Sequence, residues 1–156
     1  MKINGPFGSI WLDADDEGLT TLSFYEIDDH QTNQFTKQAA EELTDYFSGK
    51  RTFFTVPLSI HSGTDFQRRV WNALSQIPYG ETRSYLEIAQ AVDSPKAVRA
   101  IGQANSKNPI PIIVPCHRVI GKNGKLTGYL GSSEHEGLNI KKFLLHVENV
   151  PLIEKK

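Results

Sequence analysis

Between residues 108 and 115 the chain reads Asn108-Pro109-Ile110-Pro111-Ile112-Ile113-Val114-Pro115, and no regular helix can pass through it. Each proline lacks a backbone N–H and biases the residue before it away from helical dihedrals. An apolar run of this kind is expected to be extended chain. The next three residues, Cys116, His117 and Arg118, are as informative. Cys116 is the single cysteine, which excludes an internal disulfide and any zinc site built on several cysteines. A lone cysteine is ordinarily a small buried hydrophobe. Here imidazole and guanidinium stand one and two residues away, and such neighbours favour the thiolate, the nucleophilic form. In a strand His117 would point to the face opposite Cys116, so their contact requires a turn or a bridging water.

The segments before this run divide in two. Ser9–Ala14 and Leu19–Tyr25 alternate as two strands around a turn at Asp15-Asp16-Glu17-Gly18. Phe35, Ala39, Leu43 and Phe47 share one face of a helix over Gln34–Phe47, with Gly49 placed to end it. Phe53–Val56 is a short strand candidate, and the acidic loop and face of this unit read as solvated surface. The character shifts at Thr64. Thr64-Asp65-Phe66-Gln67 and Ser84-Tyr85-Leu86-Glu87 are capping boxes that open two helices, the first with Phe66, Val70, Leu74 and Ile77 at helical spacing. Ser94-Pro95 predicts an N-cap followed by proline at the first position of a third helix through about Asn105. The last two helices, with Lys96 and Arg99 on the second, form a helix-turn-helix pattern, although such pairs are also common in plain helical cores. A small hairpin around Gly121-Lys122-Asn123-Gly124 and a final helix over about Gly137–Glu148 complete the expectation.

Charge follows the same division. The whole chain of 156 residues carries a formal −1, which by itself argues against a polyanionic partner. Residues 1–63 hold four basic against ten acidic side chains, a balance of −6, whereas residues 64–128 hold nine against four, a balance of +5. The asymmetry suggests a polyanion-facing middle, at a modest charge density. No apolar run approaches the roughly 18 residues of a membrane span. The start, Met1-Lys2-Ile3-Asn4-Gly5-Pro6, lacks the apolar stretch of a signal peptide, so a cytoplasmic protein without membrane attachment is expected.

Pro115-Cys116-His117-Arg118-Val119, preceded by Asn108-Pro109-Ile110-Pro111, strongly resembles the active-site signature of the O6-alkylguanine-DNA alkyltransferases, the methylated-DNA–protein-cysteine methyltransferases. The match extends back through Ser84-Tyr85 and Lys96-Ala97-Val98-Arg99-Ala100-Ile101-Gly102, and to Gly5-Pro6-Phe7-Gly8 and Gly18-Leu19 at the front, so it covers nearly the whole chain. The resemblance implies an α+β fold with a small ribonuclease-H-like α/β domain over residues 1–62. A mainly helical, winged-helix-like domain over residues 63–156 would follow and carry the helix-turn-helix. It implies DNA repair by direct, irreversible and stoichiometric transfer of a methyl or larger alkyl group from O6 of guanine, with O4-methylthymine as a further candidate. The acceptor would be Cys116, with His117 taking the thiol proton through a water and Glu148 orienting the imidazole. Tyr85 would donate to the leaving base. Arg99 would fill the space left by the flipped nucleotide in duplex DNA bound through the minor groove, with Ser84, Ala97, Ala100, Lys107 and Arg118 also toward the DNA. Asn108 would bridge recognition helix and active-site strand, and Val119, Tyr129 and Leu130 would line the substrate pocket. A monomer without cofactor is implied.

The sequence departs from the family after Tyr129. Leu130 stands where a small residue is usual, and residues 131–136 form a longer acidic loop, from which a preference for small adducts is expected. The structural zinc of some members lacks its cysteine ligands here, so no metal is expected, and His30, His61, His135 and His146 read as surface or capping residues. Two other readings compete: a lesion-binding protein without chemistry, like the alkyltransferase-like proteins, and a hydrolase built on Cys and His. Cys116, His117 and Glu148 argue against the first, and the adjacent helix-turn-helix against the second.

Overall fold

Two-residue and Asx turns shape the start of the chain in the computed structural model, which describes residues 1–28, 30–121 and 135–151. Strands β1 (Lys2–Gly5), β2 (Gly8–Ala14) and β3 (Leu19–Ser23) form an antiparallel sheet in that order. Gly5 pairs with Gly8 at the first turn. At the second, the Asp15 carboxylate accepts from the backbone N–H groups of Glu17 and Gly18 at 2.8 and 3.0 Å. Ile10, Leu12, Ala14, Leu19 and Leu22 are buried. Helix α1 (Gln34–Phe47) is opened by an Asn33–Thr36 capping box and followed by Gly49 at φ +80°, the left-handed conformation expected of a glycine there. Its buried side chains are Thr36, Ala39, Glu42, Leu43 and Tyr46. Phe35 and Phe47, expected on the inner face, flank it half-buried, and Phe47 makes an edge contact with Phe7.

Two expectations for this region are corrected. Phe53–Val56 is not a strand. The N–H groups of Thr55 and Val56 donate to the Glu42 carboxylate at 2.9 and 3.1 Å, so a side chain replaces the ladder partner they would otherwise need. Pairing with β3 comes later, as a single parallel bridge between Leu19 and Leu58. Glu42 in turn is not part of a solvated face, being only 4% exposed.

The chain divides into two compact units, Met1–Ser62 and Gly63–Lys156. In the second, Thr64 and Gln67 form the capping box of α2 (Asp65–Leu74). Gly63 has φ +89°, and a Cβ there would lie 2.5 Å from the Trp71 ring, so both conformation and space require glycine. Trp71 donates its indole N–H to the Ala104 carbonyl at 2.8 Å, tying α2 to α4 (Val98–Ser106). Between them lie the two-residue β4 (Arg83–Ser84) and α3 (Tyr85–Ala91), opened by the expected Ser84–Glu87 box. The α4 boundary differs from expectation. Ser94 and Pro95 form a turn, with the Ala97 N–H on the Ser94 carbonyl at 2.9 Å, and α4 starts at Val98 with Ala97 as its N-cap. Lys96 therefore stands in the turn before the helix. The first residue after α3 and its cap, Asp93, takes φ +57°, which reverses the chain too sharply for Ser94 to open the next helix directly.

The proline-rich run is likewise not an extended strand. Val114 N–H donates to the Ile110 carbonyl at 2.9 Å, folding residues 110–114 into a tight turn with Ile112 at φ +74°. Ile110, Ile112 and Val114 are nonetheless buried, as the composition of the run requires. A 3-10 turn, Cys116–Arg118, comes next and leads into β5 (Val119–Ile120), which pairs in parallel with β4. Helix α5 (His135–Val147) closes the unit. The hairpin expected around residues 121–124 falls mostly outside the described residues.

Candidate active site

The site grows from the turn that precedes it. A β-branched residue in the left-handed region is strained, and Ile112 is held there by Asn108. The Asn108 amide donates to the Val114 carbonyl at 2.8 Å, and its oxygen accepts from the Ile110 N–H at 2.9 Å. One buried side chain thus pins both ends of the loop that delivers Pro115 and Cys116. Cys116 is fully buried, with its own N–H on the Val114 carbonyl at 2.8 Å. The Asn105 amide of α4 donates to the Cys116 carbonyl at 3.3 Å, and its oxygen is buried without a hydrogen-bond partner among the described residues.

The 3-10 turn removes the alternation that would have separated Cys116 from its neighbours. His117 is fully buried, and its Nε2 lies 2.6 Å from a carboxylate oxygen of Glu148. Sequence alone reads Glu148 as an exposed helix-end acid; it is 2% exposed. Burial by itself would raise the Glu148 carboxyl, but hydrogen bonds from His117 and Arg118 outweigh it and hold the group at about 2. For His117 the largest influence is desolvation, which lowers it despite the carboxylate. The imidazole is therefore neutral at neutral pH. Because an ionised carboxylate only accepts, the contact assigns the proton to Nε2 and leaves Nδ1 as a lone-pair acceptor. Nδ1 is buried and has no hydrogen-bond partner among the described residues. A neutral histidine with an oriented, unprotonated nitrogen can accept a proton.

Arg118, expected toward DNA, is instead buried inside this cluster. Its Nε and Nη2 donate to the two Glu148 oxygens at 2.7 and 3.0 Å, and its Nη1 to the Ile77 carbonyl at 2.7 Å. A fork spent in this way has no face left for a phosphate. Tyr79 closes the cluster, with its hydroxyl on the Val147 carbonyl at 3.0 Å.

The remaining candidates lie around this centre. Tyr85 is half-buried at the first position of α3, and the Ser84 hydroxyl is engaged as the α3 cap. Arg99 and Lys107 are exposed at the two ends of α4, while Ala97 and Ala100 are half-buried. Val119 is buried beside the turn, and Tyr129 and Leu130 lie outside the described residues. Among the described residues, no group of three or more His, Cys, Asp or Glu side chains is arranged to hold a metal ion. No described helix is long and apolar enough to cross a membrane. Sequence reasoning missed Asn105 and Lys141. The signal for Lys141 is its register, three and four residues before the buried Leu144 and Leu145 and seven before Glu148, which sets a cation on the apolar face of α5.

Comparison with known proteins bears on the same residues. Residues 65–150 match the DNA binding domain of 6-O-methylguanine DNA methyltransferase, and residues 2–60 match its ribonuclease-like domain. The chain is 46% identical to the constitutive methylated-DNA–protein-cysteine methyltransferase of Bacillus subtilis, over 96% of this chain and 94% of that protein. It is 50% identical to the methylated-DNA–protein-cysteine methyltransferase of Methanosarcina acetivorans, over 92% and 93%. The crystal structure of Mycobacterium tuberculosis OGT in complex with DNA superposes with a TM-score of 0.83 at 48% identity, covering 94% of this chain and 90% of that one.

Proposed function

The chain belongs to the 6-O-methylguanine DNA methyltransferase family, and from that premise we propose that it repairs DNA by moving the alkyl group of O6-alkylguanine onto its own Cys116. The observation that carries this reading is the buried Glu148–His117 pair beside the single cysteine, with Nδ1 of the imidazole uncommitted. The thiol proton passes to Nδ1, directly or through one water, while Glu148 and Arg118 keep the ring in its tautomer. A sulfur lone pair then forms the S–C bond as the C–O6 bond breaks. The released electron pair stays on guanine, which takes up one proton, so that thiol and alkylguanine become thioether and guanine. Thioethers are not hydrolysed under these conditions, and each molecule acts once.

A buried thiol cannot reach a base inside a duplex, so the nucleotide has to be turned out of the stack. Arg99, exposed at the start of α4, is the side chain best placed to fill the gap, and Lys96 and Lys107 add phosphate contacts on the same segment. We assign residues 63–156 the DNA-binding and acceptor role. A monomeric cytoplasmic protein, bound through the minor groove, fits a surveillance task that ignores sequence. Tyr85 supplies the donor to the departing base, and Asn108 the rigidity of the loop that presents the thiol.

Intact mass after mixing with an O6-methylguanine oligonucleotide is the decisive measurement. The expected result is one methyl increment on wild type and none on Cys116→Ala. Tight binding without an increment would instead identify a lesion sensor. Conversion of substrate with unmodified protein would identify a hydrolase.

A further inference from the structure

Arg83 is a cation beside the thiol's turn that neither the packing of the unit nor the chemistry above uses. It stands on β4 opposite Val119 of β5, three residues beyond Cys116. Opposed side chains on paired strands share a face. The arginine stem therefore lies along buried Val119 while the guanidinium reaches water, leaving the side chain 34% exposed. Both of its hydrogen-bond acceptors are its neighbours in the chain. Nη1 donates to the Thr82 carbonyl at 2.9 Å and Nη2 to a Glu81 carboxylate oxygen at 3.1 Å. Neither contact joins one element to another. The other cations are committed or stand elsewhere. Arg118 is spent on Glu148, and Lys141 is buried with its Nζ on the Val119 carbonyl at 2.7 Å. Lys96, Arg99 and Lys107 belong to α4 and the turn before it.

We propose that Arg83 is a phosphate ligand of the turned-out nucleotide, held in waiting by Glu81 and exchanged to the DNA as the base enters. A nucleotide leaves the stack together with its sugar and flanking phosphates, so extrusion carries negative charge toward the turn that holds the thiol. A fixed cation at that turn offsets the charge, and a guanidinium presents the fork that matches a phosphate. Magnitudes favour the exchange. Glu81 is 53% exposed, and an ion pair this open contributes no more than about fivefold to an equilibrium. The bond to phosphate is charge-assisted as well, and it gains from releasing the counterion that the phosphate held in free DNA. The carboxylate is therefore the weaker partner. Until DNA arrives, Glu81 neutralises the guanidinium without tying it to the fold.

The inference rests on the base-turning step of the proposed function, and its test reads binding rather than transfer. The full chain is titrated with a duplex carrying one O6-methylguanine, in a Cys116→Ser background that leaves the methyl group in place. Arg83→Gln should weaken binding about tenfold. It should also lower the slope of log affinity against log salt by about one, the signature of a single phosphate contact. Glu81→Gln should tighten binding by up to about fivefold, because the competing carboxylate is gone. Added to Arg83→Gln, the same change should have no effect. With neutral methylphosphonates at the two phosphates flanking the lesion, the loss in Arg83→Gln should disappear, and with methylphosphonates several steps away it should persist. A salt slope that Arg83→Gln leaves unchanged overturns the proposal. So does a gain from Glu81→Gln that survives in Arg83→Gln, since a lost negative charge alone would then account for it. A loss that persists with the flanking phosphates neutralised overturns it equally. If the binding results hold and wild type takes no methyl in the mass measurement, the functional reading fails and this contact stands. If wild type is methylated and the binding results fail, the reverse is true.

Discussion

Each unit of the chain buries one glutamate almost completely, and the two carboxylates differ in what they accept from. Glu42 takes hydrogen bonds from the Thr55 hydroxyl and backbone, the Val56 backbone and the Gln38 amide. None of these donors titrates. Glu148 takes its short bonds from His117 and Arg118, one group that gains and loses a proton and one that never does, and a longer one from the Gly80 N–H at 3.4 Å. Both are held below the ordinary carboxylate range although burial pushes each upward. Equal burial thus produces two outcomes. Each carboxylate has an arginine near it, Arg51 at 3.8 Å from Glu42, but only Glu148 has a titratable donor. Glu42 is a staple that holds a loop to a helix, whereas Glu148 fixes the tautomer of a ring that can take up a proton.

Replacing each glutamate by its amide breaks the comparison most sharply. Glu148→Gln should lower methyl transfer on the order of a hundredfold or more, because the amide no longer enforces the Nε2 proton. It should also cost on the order of 3–5 kcal/mol of stability, since Arg118 is left buried without its counter-charge. Glu42→Gln should cost about 1–3 kcal/mol and leave transfer per folded molecule unchanged. Chemical denaturation and single-turnover rates read both. Equal losses of rate in the two variants would refute the distinction.

Acid should separate the two ends of the pH scale next. Glu148 lies at about 2 when folded and 4.5 when not, so its contribution of about 3 kcal/mol is complete above pH 4.5 and lost as pH falls toward 2. Lys141 behaves in the opposite sense. Between about 8 and 10.5 the unfolded chain binds the proton that the folded one releases, so stability should rise with pH there. The cost of the buried ammonium, about 3 kcal/mol, is fully present below 8. Lys141→Met should therefore melt higher than wild type at neutral pH, whereas a lysine kept for stability would make it melt lower.

The smallest effect concerns the loop before the nucleophile. Ile112→Gly relieves a left-handed conformation but removes a buried side chain. The net change should be a loss of about 1–3 kcal/mol, since the deleted apolar volume exceeds a strain of roughly 1 kcal/mol. Ile112→Val should show little of either.

Much of the molecule is legible in its residues alone. Two helices announce themselves through the Thr64 and Ser84 boxes, because local side-chain to backbone bonds are written in adjacent letters. Cys116 and His117 come from a motif that is specific, Glu148 only from the family resemblance that the motif carries, and the geometry joins the last two at 2.6 Å. The contacts that fold the chain back on itself are not written this way. Phe53–Val56 looks like a strand until Glu42, more than ten residues earlier, takes its N–H groups. Arg118 looks like a phosphate ligand until the end of α5 brings Glu148 to it. The turn at Ile112 depends on Asn108 reaching across its own loop, and proline composition alone does not distinguish that turn from extended chain.

The two-residue pairing of β4 with β5 has a mechanical consequence. Arg83 faces Val119 and Ser84 faces Ile120, and Ser84 is also the cap from which α3 and Tyr85 begin. The span from Tyr85 to the sulfur is therefore fixed by a few backbone bonds on each side of one rung, with no flexible arm between them. Among the described residues, the helix pair and the turn that carries the thiol are tied together by that rung. On the proposed function, the nucleotide brings carbon to sulfur, and this rung is the gauge against which an out-of-place base is measured.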